Sequence, residues 1–169
     1  MVRQPNTYTA TFALLAAVTF GTAATNLPDE IAASEAKVVL QVHAEGAQIY
    51  ECKATASGQL SWQFREPIAT LIVDGKTVGR HYAGPAWDHS DGSGVKGRVV
   101  SSTPGATPND IPWLKLEIVD HRNSGVLSSA TAVKRINTRG GVARGSCERA
   151  GDFLDVPYSA DYVFLREGI

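Results

Sequence analysis

From Val38 to Leu165 the chain is a succession of short β-rich runs separated by turn residues, and nowhere does it sustain a 3.6-residue apolar period. That rhythm restricts the fold to an all-β architecture. Residues 38–43 and 48–52 read as two strands joined at Glu45-Gly46. Residues 60–64 form a third, in which Leu60, Trp62 and Phe64 alternate with polar residues and count as core by that pattern. Asp74-Gly75 is a hairpin signal between 69–73 and 77–82. Runs at 95–103, 112–119 and 158–165 follow, and 126–137 reads as a strand rather than a short helix because of β-branched Thr131, Val133 and Ile136. About nine strands at short spacing predict one antiparallel β-sandwich or flattened barrel.

Between two of these runs lies a stretch of different character, Gly79 to Gly97, with two histidines, one tryptophan, two aspartates and five glycines. Such a mix reads as a long shaped loop and as the first place to look for a site. His81, Trp87, His89 and Asp91 are its candidate ligand-binding residues. Trp87 can offer its ring to a sugar or another flat apolar surface, or fold inward and plug the end of the sheet. With Asp88, the two histidines and Asp91 supply enough imidazole and carboxylate to ligate a divalent ion or to perform acid–base work, although no spacing here matches a dedicated zinc signature and no nucleophile motif accompanies it. The expectation is therefore no metal and no cofactor.

The chain begins with Arg3 ahead of the apolar run 12–20 and with small residues at Thr22 and Ala24. This is the pattern of a secretory signal peptide over residues 1–24, too short to span a bilayer, followed by a linker over 25–36 and a single β domain over 37–169. Export to the periplasm or exterior makes Cys52 and Cys147, the whole thiol inventory, an expected disulfide; two free buried thiols or a metal or redox pair are the alternatives. Without its first 24 residues the chain carries 15 basic and 17 acidic side chains, a balance that points to neither nucleic acid nor an anionic membrane as partner. One local exception, Lys134, Arg135, Arg139, Arg144 and Arg149 against Glu148 alone, reads as a solvated face or as an anion site.

Several segments together carry a resemblance: 46–52 (Gly-Ala-Gln-Ile-Tyr-Glu-Cys), Gly84-Pro85-Ala86-Trp87 with Asp91-Gly92-Ser93, Ile111-Pro112-Trp113-Leu114, Arg135-Ile136-Asn137-Thr138-Arg139-Gly140-Gly141, Cys147, and Val156 to Tyr162. In this order, over most of the chain from Val38, they resemble an uncharacterised family of secreted bacterial and fungal proteins, a domain of unknown function. Some members bear a malate dehydrogenase label. Residues 92–97 do satisfy Gly-x-Gly-x-x-Gly, but polar loop precedes them and a β run follows, where a dinucleotide fingerprint needs a buried strand and then a helix. The resemblance implies no activity. From the residues, the first expectation is an exported non-enzymatic binding module, with a polysaccharide or other envelope ligand held at 81–91. A metal-dependent or His/Asp-assisted hydrolase is the second, and a structural or stress-related exported protein the third.

Overall fold

The computed structural model describes residues 36–166. Eight antiparallel strands follow one another as neighbours: β1 (Lys37–Ala54), β2 (Leu60–Val73), β3 (Lys76–Tyr82), β4 (Ala86–His89), β5 (Gly94–Thr103), β6 (Trp113–Arg122), β7 (Ala132–Gly140) and β8 (Phe153–Arg166). β8 then pairs along most of its length with β1, so the sheet closes on itself as a barrel. Every strand thus has a neighbour on both sides over part of its length, although Leu60–Ile68 of β2 pair on the β1 side only. The expected signal segment 1–24 and all of the linker but Ala36 lie outside the described residues. Within them no helix is long and apolar enough to cross a membrane.

There are eight strands rather than about nine, and the difference has a cause. The residues around Glu45-Gly46 do not turn: β1 runs straight through, because Gly46 lets β2 come so close that a Cβ there would lie 2.0 Å from the Ile68 carbonyl oxygen. The runs at 60–64 and 69–73 likewise merge into β2, with the chain bent where the β1–β2 register shifts between Ile49 and Tyr50. Beyond that bulge the hairpin projects past the barrel. Phe64 is accordingly 54 % exposed, not core, and Leu60 and Trp62 are only half-buried. Residues 126–129 form a single 3-10 turn, and the strand expected over 126–137 begins only at Ala132.

Alternation along the strands fills the interior. Val42 and Ala44 of β1, Leu71 of β2, Leu116 of β6 and Ala160, Tyr162 and Phe164 of β8 are buried around Trp87. An eight-stranded barrel has just enough interior for its side chains or for one small ligand. Here the two ends divide those uses. At the lower end, where β1 begins and β8 finishes, the 3-10 turn inserts Leu127, 1 % exposed, into the core. The upper end is framed by the projecting β1–β2 hairpin, the β3–β4 turn and the connections 104–112 and 141–152.

Candidate functional site

The stretch 79–97 is not a long loop. It is the end of β3, a tight turn at 83–85, the four-residue β4, a turn at 90–93 and the start of β5. Its glycines serve that path: Gly92 adopts φ +92° in the turn, and Gly97 leaves room for the Trp87 ring, whose Cζ3 would lie 3.2 Å from a Cβ there. Strand, not helix, follows the Gly-x-Gly-x-x-Gly match.

His81 and Trp87 are cross-strand partners and both point inward. Their rings stack at 4.6 Å and 9°, and Trp87 meets Tyr162 and Phe164 edge-on at 5.4 and 5.8 Å. At 1 % exposure the indole offers solvent no face. His89 and Asp91 lie at the lower end instead. There Asp91 accepts from Ser93 N and Oγ at 2.9 and 2.6 Å and from Val126 N at 2.7 Å, with His89 Nδ1 3.0 Å from Oδ1. The Ser93 hydroxyl, then the two backbone donors, hold the Asp91 carboxyl well below the ordinary carboxylate range. Asp91 thus pins the 90–93 turn to the 3-10 turn. Asp88 points outward and takes Arg80, Tyr82 and Arg122 as partners. Among the described residues no group of three or more His, Cys, Asp or Glu is placed to hold a metal ion.

Of the four candidates, His81 alone lines either of two cavities of similar size, one of about 490 Å³ shared with Glu45 and Glu66 and one of about 480 Å³ at the upper end. Tyr50, Phe64, Pro67, Pro85, Val99, Ile111, Pro112 and Leu114 make the mostly apolar walls of the latter, and Gln48, His81, Arg65 and Arg135 contribute polar groups. The opening arises from strand length: β3 and β4 are short, so the 83–85 turn sits below the projecting strands on either side. His81 Nδ1 lies 2.9 Å from the Ala86 carbonyl, which can only accept, so Nδ1 carries the proton and Nε2 keeps its lone pair. Burial, assisted by the charge of Arg135, lowers the His81 pKa to about 4. The ring is neutral near pH 7.

Gln48, Ile111 and Pro112 are not candidate site residues in the sequence, and Arg135 stands out there only as one of five basic residues read as a solvated face or an anion site. One signal was available: Gln48 and Tyr50 share a face of their strand with Cys52, and that face turns out to be the interior. Arg135 belongs to the basic run, which does not form one solvated face. Lys134 is buried, Arg135 donates to the Pro112 carbonyl, Arg144 to Pro108 and Asn109, and Arg149 to Asp152.

The walls at this end are stapled. Cys52 and Cys147 form a disulfide with Cα atoms 5.8 Å apart, tying the 141–152 connection to β1. Tyr50 donates from its hydroxyl to the Gly141 carbonyl at 2.7 Å, and Thr138 Oγ1 to that of Ile111 at 2.6 Å. A family model described as a protein of unknown function (DUF3455) matches residues 32–77 and 72–166. No curated protein and no solved structure matches the chain.

Proposed function

We propose, from the premise that the chain belongs to the DUF3455 family of proteins of unknown function, that it is an exported binding module whose barrel mouth holds one small, largely apolar molecule. The observation that carries this reading is the cavity itself: about 480 Å³, walled by apolar side chains with a few convergent polar groups. Those are the proportions of a small-molecule site. Export is supported by the Cys52–Cys147 disulfide, a bond kept in oxidising compartments, together with the signal-like pattern of residues 1–24.

Two features weigh against the rival readings. The buried Trp87 ring gives a polysaccharide no platform at 81–91, so the binding role moves from that segment to the cavity above it. Against a hydrolase, a backbone carbonyl rather than a carboxylate orients the His81 ring. Nile red, an uncharged fluorophore, tests the reading. The protein should bind it saturably with one site, and Val99→Trp, a filling substitution at a half-exposed position in the cavity wall, should abolish binding while leaving the thermal midpoint nearly unchanged. Binding that is absent, or indifferent to Val99→Trp, would refute it.

A further inference from the structure

The polar groups of the cavity agree in sign. Two guanidinium groups line it and no carboxylate does. Arg65 is already engaged, with Nε 3.3 Å from Glu66 and its guanidinium 5.0 Å from the Phe153 ring centroid. Arg135 is held differently. Its Nε and Nη2 donate to the Pro112 carbonyl at 3.0 and 2.9 Å, which fixes the plane of the guanidinium without neutralising it, and a guanidinium has five N–H donors. Its charge is felt across the interior: burial raises the pKa of Tyr158 and of Tyr162, and Arg135 pulls against both shifts. Gln48, 3 % exposed, lines the same cavity, and its Nε2 makes no hydrogen bond of good geometry, although the amide meets the Tyr158 hydroxyl closely enough to oppose the rise in its pKa.

A fixed cation, a buried amide donor and apolar walls call for a ligand that can only accept at one end and is oily at the other. We propose that the cavity selects an organic anion, a carboxylate on an apolar body, with the carboxylate accepting from Arg135 and Gln48. This rests on the reading of the cavity as a small-molecule site and adds the chemistry of its occupant. Charge-assisted hydrogen bonds to a carboxylate are about twice as strong as neutral ones, and low-dielectric walls strengthen them further. An alcohol of the same shape brings one oxygen and no charge, and leaves the guanidinium without a counter-ion.

Calorimetric titration of the oxidised protein near pH 7 tests this with two pairs of probes: octanoate against 1-octanol, and 2-naphthoate against 2-naphthalenemethanol. At least one anion should bind about tenfold more tightly than its alcohol, a difference of the size charge-assisted contacts supply. Whichever anion binds better tells a linear, lipid-derived acid from an aromatic one. Arg135→Gln should erase the preference, Arg135→Lys should keep part of it, and Gln48→Leu should reduce it; the last two serve if Arg135→Gln fails to fold once its hold on Pro112 is lost. If the alcohols bind as well as the anions, the cavity reading stands and the anion is wrong. Should Nile red bind but none of the four probes, the anion is again refuted. A preference that survives both Arg135→Gln and Gln48→Leu overturns the assignment to these residues, and failure of every probe, Nile red included, removes the cavity reading as well.

Discussion

The two ends of this barrel are made from the same eight strands and yet are finished in opposite ways. The lower end is plugged: Leu127 enters the core, and Asp91 and Ser93 hold its turn through Val126 N and Leu127 N. At the upper end the side chains stop short, polar groups face inward, and the walls are held by a disulfide and by hydrogen bonds from strand side chains to the connections. Packing stabilises one end because apolar atoms fill it. The other cannot be filled without losing its cavity, so covalent and polar staples replace packing there. A hydrophobic plug and a stapled, half-polar mouth are a division between stability and function that a uniform core would not show.

The largest test of this contrast removes the covalent staple. Replacing Cys52 and Cys147 together by Ala should destabilise the protein by about 4 to 5 kcal/mol on the chain-entropy model for a bridge of sequence separation 95, read as a lower midpoint in urea. An unchanged midpoint would mean that the upper end does not depend on its staple. Next in size, Leu127→Ala should cost about 3 kcal/mol through the cavity it leaves and should leave Nile red affinity unaltered, because the plug and the mouth are at opposite ends. A parallel loss of binding would show that the ends are not independent.

The smallest effect is on pH. The folded pKa of His81, about 4, lies below its ordinary value of 6.5, so between these values the unfolded chain binds more protons and stability rises with pH. The contribution is present in full above about 6.5 and is lost as pH falls toward 4. From pH 7 to pH 5 it should cost about 2 kcal/mol at about 1.36 kcal/mol per unit, and His81→Gln, which has nothing to titrate there, should flatten that limb of the stability profile. An equally steep limb in the variant would assign the acid sensitivity elsewhere.

What could be read in advance differed between these regions. The apolar alternation of β6 was legible, and Leu116 is buried with Leu114 and Ile118 packed beside it. Alternation failed at Phe64, since the same pattern continues into a hairpin that has left the barrel. His81 was recognisable as an unusual residue at a strand end. Of its companions, Arg135 showed only as one of a basic run, and Gln48 and Ile111 did not show at all, because the three come from β7, β1 and the 104–112 connection and look ordinary one at a time. The glycine, proline and aspartate content of 79–97 suggested a loop where there are in fact two turns and a four-residue strand, a strand too short to leave a period.

By itself the sequence determined the β class, the antiparallel character and the pair of cysteines available for bonding. These follow from local preferences: β-branched and aromatic alternation, turn residues, and a thiol count. Only the tertiary structure decided that the sheet closes, that Trp87 turns inward against His81 rather than out to solvent, and that the site is a mouth shared by distant strands. Closure is a matter of register between β1 and β8, more than a hundred residues apart, and no local preference encodes which end of a closed sheet is left unfilled.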